Sequence, residues 1–163
     1  MSDQTAPPPP LPSDGSELNT ATPELFVEPA SGSFVDVPAL GMQVRDLGLG
    51  ALTGGMLAGQ VFRAPPQPTP PPGTWHMHND VTFQVGYVVC GWALYEFDGI
   101  GRRRVDQGTC IVHVPRNRLR LLECSDDFEG VWFKGPSHER VTFWQFDPKA
   151  GSYAESQIDV VHG

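Results

Sequence analysis

The sequence predicts an all-β domain, a sandwich or closed barrel of short antiparallel strands, set behind a proline-rich leader. Three observations lead there. Eighteen glycines and seventeen prolines in 163 residues punctuate short apolar runs at nearly regular spacing, the pattern of strands joined by turns. The clearest run, Thr82–Cys90, alternates: Phe83, Val85, Tyr87 and Val89 share one face, and Gln84, Gly86, Val88 and Cys90 share the other. No stretch of a dozen residues combines a helical apolar period with helix caps. Closing the sheet would also remove unpaired strand edges, a hazard for a chain this rich in β structure.

The elements follow in order. Residues 1–30 carry Pro7 to Pro10, Pro12, Pro23 and Pro29 among Ser, Thr, Asp and Glu. Such a composition buries too little apolar surface to offset the entropy of ordering, so a disordered leader is expected, with one domain over residues 31–163. A PxxP-type ligand for an SH3-like partner is the other reading of these prolines. Short strands are expected at Phe34–Val37 and Met42–Arg45, then within Gly55–Arg63. The connection Pro65–Gly73 is too rich in proline to donate to a central ladder. After Thr82–Cys90 come Trp92–Phe97, Arg103–Val105, Cys110–Val114, Arg118–Cys124, Glu129–Phe133 and Val141–Phe146, with Ile158–Val161 either an edge strand or a frayed end.

Bulk composition narrows the function. Eleven basic and nineteen acidic residues give a net charge of -8, and an acidic body repels phosphate backbones and anionic lipid. Neither nucleic acid nor a membrane is therefore expected as a partner. The one basic run, Arg102-Arg103-Arg104, reads as a solvated hairpin end. Cys90, Cys110 and Cys124 are odd in number and form no C-x-x-C pair, so reduced thiols in a cytoplasmic protein are expected. The sequence carries neither a signal-peptide pattern nor eighteen consecutive apolar residues.

The chemistry-bearing stretch is Gly73-Thr74-Trp75-His76-Met77-His78, followed by Gln84 and Gly91. Residues two apart in a strand project to one side, so His76 and His78 can converge on one ion, and neutral imidazole suits Zn, Cu, Fe and Ni. Gln84 would add an amide oxygen from the next strand. Two other arrangements remain open: a histidine pair without an ion, and Gln84 hydrogen-bonded to one of the rings.

These residues resemble the first motif of the cupin superfamily, G-x5-H-x-H-x3-4-E-x6-G, in His76, His78 and Gly91, with Gln84 at the glutamate position and a loop one residue longer before it. Arg45-Asp46-Leu47-Gly48, Trp75-His76-Met77-His78, Phe83-Gln84 and Val89-Cys90-Gly91-Trp92 look more narrowly like small single-domain bacterial cupins, over about residues 40–147. The second motif, G-x5-P-x-G-x2-H, is poorly matched. Counting from Gly108 places Leu119 at its histidine, and counting to Pro115 places Arg120 there. Neither is a ligand, because leucine has no donor atom and arginine stays protonated. His113 lies nearby, as a substitute ligand or a hydrogen-bonded core residue.

The resemblance implies a cupin-type double-stranded β-helix, a jelly-roll barrel. It also implies a small organic substrate, a divalent metal such as Fe, Mn, Ni or Zn, and chemistry of the dioxygenase, cyclase, isomerase or lyase kind. The expected metal ligands are His76, His78 and Gln84. Trp75, Tyr87, Arg120 and His113 are the expected substrate contacts, and an apolar outer sheet face would suit a homodimer. The competing expectation is a metal-free barrel that binds a small molecule as a sensor, its metal site incomplete.

Overall fold

Every strand expected from Phe34 onward forms, and the register of the pairs decides which side chains meet inside. The computed structural model describes residues 33–66 and 73–162. The expected leader, residues 1–30, lies outside them, as does most of the proline-rich connection. The strands are β1 (Val35–Val37), β2 (Met42–Asp46), β3 (Ala58–Arg63), β4 (Trp75–His78), β5 (Phe83–Cys90) and β6 (Trp92–Phe97). They continue as β7 (Gly101–Asp106), β8 (Cys110–His113), β9 (Leu119–Cys124), β10 (Glu129–Gly135), β11 (His138–Asp147) and β12 (Ser152–Val161).

Two six-stranded sheets result, the first ordered β1-β2-β3-β10-β5-β8 and the second β12-β11-β4-β9-β6-β7. All described pairings are antiparallel. The chain passes from the first sheet to the second at Gly91, between β5 and β6. Its φ of 67° is open to glycine at little cost, and a Cβ there would meet Ser125, Asp127 and Phe128. The last glycine of the recognised motif is thus a crossing point between sheets.

The structure departs from the sequence reading most at two places, and β10 also runs two residues past Phe133, to Gly135. Within Gly55–Arg63 the strand starts only at Ala58, because a helical turn, α1 (Leu49–Leu52), precedes it. Thr53 closes that turn: its hydroxyl donates to the Leu49 carbonyl (2.7 Å) and accepts the Leu57 N–H (3.0 Å). Secondly, β11 and β12 run well beyond Val141–Phe146 and Ile158–Val161. They pair along their whole length, from His138 with Val161 to Asp147 with Ser152, and the largely exposed β12 carries little alternation to read. Among the described residues no helix is long and apolar enough to cross a membrane.

Directly opposed residues share a face, so the register sorts the interior into layers. At one end Met42, Val88, Ala93, Tyr95, Leu121 and Phe128 form an apolar core, where each fully buried side chain stabilises the fold by roughly 1.5–3 kcal/mol. Toward the other end the layers turn polar. Lys134 opposes Ala58 and Gln84, and Gln84 opposes His113, while in the facing sheet His76 opposes Phe143 and Leu119. Trp132 stands between the two regimes. Its indole fills the space that Cβ atoms on Gly86 and Gly130 would occupy. Gly86→Ala is therefore expected to lower stability by about 2 kcal/mol through overpacking, read as a lower urea midpoint with an unchanged slope. An unaltered midpoint would show that the indole does not rest on Gly86.

Candidate functional site

The polar layer gathers around one carboxylate. Glu139, on β11, is two and four residues before Val141 and Phe143 and shares their inward face with His76 and His78 of β4. It is 0% exposed. A charge so placed needs partners, and it has several: His78 Nδ1 at 2.7 Å, the Lys134 ammonium, and His162 Nε2 at 3.3 Å. His162 is held in turn, with its Nδ1 3.1 Å from Gln60 Nε2 and 3.4 Å from Asp46 Oδ2. Asp46 also accepts the Gly48 N–H at 2.7 Å, fixing the turn that leaves β2.

Burial pushes the Glu139 carboxyl upward, but the hydrogen bonds from His162 and His78 and the charges of His78 and Lys134 outweigh it, so the group is held well below the usual carboxylate range. Lys134 is lowered by burial, against the upward pull of Glu139. His78 is lowered chiefly by burial, while its hydrogen bond to Glu139 works the other way. Since His78 Nδ1 faces an ionised carboxylate, the neutral ring donates from Nδ1 and keeps its lone pair on Nε2.

His76 lies 5.4 Å from His78, ring centre to ring centre, with the planes nearly perpendicular. Burial, then the neighbouring His78 and His113, lowers its pKa to about 3. Its Nδ1 is buried and no group meets hydrogen-bond geometry there, although the Thr74 backbone opposes the pKa shift. The Gln84 Oε1 is likewise buried without a partner, so that oxygen does not accept from a histidine. Across the layer His113 Nε2 accepts the Trp132 indole N–H at 3.3 Å. Its proton in the neutral ring therefore sits on Nδ1, and burial, with the charges of His78 and Lys134, lowers its pKa to about 4.

The structure brings together His76, His78, Gln84 and His113 and separates the other expected contacts from them. Trp75 alternates with His76 and lies on the outer face of the second sheet, beneath the Arg120 guanidinium at 4.6 Å. Arg120 is committed to Glu96, with Nε 2.8 Å from Oε2. Tyr87 stands on the outer face of the first sheet, 48% exposed, because the alternation that turns Gln84 inward turns Tyr87 outward. These three placements correct the expected set. Lys134, Glu139 and His162 were missed. Extending the alternation of β10 from Trp132, and of β11 back from Val141, points the first two inward; nothing local marks His162.

Comparison with solved structures supplies the context. KdgF from Halomonas sp. superposes with a TM-score of 0.55 at 22% identity, over 68% of this chain and 94% of that one. A histidine-to-glutamine variant of Streptomyces Pac13 with uridine gives 0.56 at 10% identity, over 85% and 93%. Pac13 itself, described as a unique nucleoside dehydratase, gives 0.52 at 10% identity, over 83% and 92%. The fold is that of a cupin. No protein-family model matches the sequence, and no curated protein matches it.

Leu119, one of the two residues that the motif count places at the histidine, is the cross-strand partner of His76, and among the described residues no three His, Cys, Asp or Glu side chains gather to hold a metal. The groups of this layer that carry metal-donor atoms are two imidazoles, His76 and His78, and the Gln84 amide oxygen, which is buried without a partner.

The depressed histidines set a pH dependence. An unfolded imidazole protonates near pH 6.5, whereas His76 and His113 stay neutral to about 3 and about 4. Below 6.5 the unfolded chain binds more protons at these two residues than the folded one, so their contribution to stability falls as pH drops from 6.5 toward 4 and is level above that window. Urea midpoints of chelator-treated protein at pH 7.5 and 5.0 are expected to differ in that direction, and less so for His113→Gln.

Proposed function

We propose that the protein is a cupin enzyme acting on a small organic substrate, with one divalent transition metal held by His76, His78 and Gln84. The observation that carries this reading is the treatment of His78: one ring nitrogen is tied to a buried carboxylate and the other is left as a lone pair beside two further donors. Histidine ligands are regularly oriented by a carboxylate on the far ring nitrogen, which fixes the tautomer and raises basicity. The Gln84 Oε1, buried without a partner, supports it, since a buried acceptor left alone costs about 1–3 kcal/mol.

In this reading Fe, Mn, Ni or Zn would polarise a carbonyl or take up dioxygen. The residues around it have separate duties. Glu139 orients His78; Lys134 balances the Glu139 charge and keeps an ammonium proton within the site; the Leu119 and Phe143 side chains beside His76 exclude water. Reactions of dioxygenase, isomerase, lyase or cyclase type are consistent with this arrangement.

A second reading is favoured by one observation. The Glu139 charge is already matched by Lys134, so a dication would enter a site with no net negative charge, and neither Leu119 nor Arg120, the two candidates for the motif's histidine, can ligate. A metal-free barrel that binds its small molecule and releases it unchanged fits those facts.

Metal analysis by mass spectrometry separates the two. The enzyme reading expects close to one ion per chain in the purified protein, lost in His76→Ala and in His78→Ala. Glu139→Gln should weaken metal affinity roughly 10–100-fold while leaving His76, His78 and Gln84 in place. Trace metal that ignores both histidine substitutions would sink the enzyme reading and leave the binding one.

A further inference from the structure

The two sheets close poorly at one side, where β7 ends the second sheet and β8 ends the first. A groove of about 380 Å³ lies between these edges, within the size range of small-molecule sites. Its lining is mostly apolar, with Phe97, Ile111 and Leu119 deep in it and Ile100, 51% exposed, at the rim. His113 also lines it. The inner end abuts the polar layer, since Leu119 is the cross-strand partner of His76 and His113 that of Gln84.

The basic run on β7 divides by face. Arg104 also borders the groove, but its guanidinium is engaged, paired with Asp106 at 2.9 Å and stacked over Trp92 at 4.1 Å, and Arg102 lies opposite Glu96. Arg103 lies opposite the buried Tyr95 and two residues from the buried Val105, so it shares the concave face of the second sheet, and it lines the groove. Its contact is the Arg102 carbonyl at 2.8 Å. Among the described residues no carboxylate pairs with it, in a chain of net charge -8.

We infer that this groove binds a small organic monocarboxylate with an unbranched or aryl apolar body, its carboxylate on Arg103 and its body over Phe97, Ile111 and Leu119, reaching toward His113. A planar guanidinium suits a carboxylate through paired N–H donors, and the apolar floor suits the chain. This deepens the small-molecule reading of the same barrel and rests on it, but not on the metal.

The test is calorimetric titration of the full chain, before and after EDTA treatment, with acetate, hexanoate, 3-phenylpropionate and hexanamide. Hexanoate and 3-phenylpropionate are expected to bind at least roughly tenfold tighter than acetate. Hexanamide should bind roughly tenfold weaker than hexanoate, and Arg103→Gln should cost hexanoate about the same factor, while Arg102→Gln changes nothing. Equal binding of amide and carboxylate, or indifference to Arg103→Gln, overturns the inference. Arg103-dependent binding by a protein that never holds an ion sinks only the metal reading; an ion that follows His76 and His78, without carboxylate binding, sinks only this one.

Discussion

One negative charge with no access to water organises this molecule. Taking a carboxylate out of water costs several kcal/mol even after relaxation, and Glu139 is affordable only because partners arrive from every side: Lys134 from β10, His78 from β4, and His162 from the residue after β12. Lys134 belongs to the first sheet and Glu139 to the second, so the ion pair ties the sheets together across the barrel. Gln60 and Asp46 extend the tie to β3 and β2 through His162. Removing one partner would leave a buried charge uncompensated, which is why the group behaves as a unit.

The same charge sets the chemistry available to the histidines. By claiming His78 Nδ1 it decides which nitrogen of that ring can act, while His76, which makes no bond to that carboxylate, is lowered to about 3 by burial and by the neighbouring His78 and His113. Trp132 performs the corresponding office for His113 from an apolar direction. Its indole reaches the ring only because β5 carries glycine beneath it. Three imidazoles so close together would repel one another if charged. Burial keeps them neutral, and a neutral ring is what a metal requires.

Much of this was legible in the residues. Alternation put Gln84 on the face of Gly86 and Val88, spacing put His76 and His78 together, and the resemblance singled out Gly91, whose place at the sheet crossing the structure explains. What escaped was parity applied inconsistently and strands ended too early. Trp75 and Arg120 sit next in sequence to inward-facing residues and for that reason face outward. Tyr87 is three residues from Gln84, an odd number, and so cannot join it. Lys134 and Glu139 fell outside the strands as first read, because a charged residue beside glycine, proline and serine resembles the start of a loop. His162 enters the site through a pairing of distant segments, for which a single sequence holds no local sign.

The stacking of an oily storey on a polar one has a consequence of its own. Phe128, Val88 and Ala93, the ballast of the barrel, belong to an apolar cluster that includes none of His76, His78, Gln84, Lys134 or Glu139. A vessel built in this way can be refitted at one end while its hull stays whole. A change at Gln84 or His113, which hold no bond to Glu139, then alters what the protein does before it alters whether the protein folds, so shape in such barrels outlives chemistry.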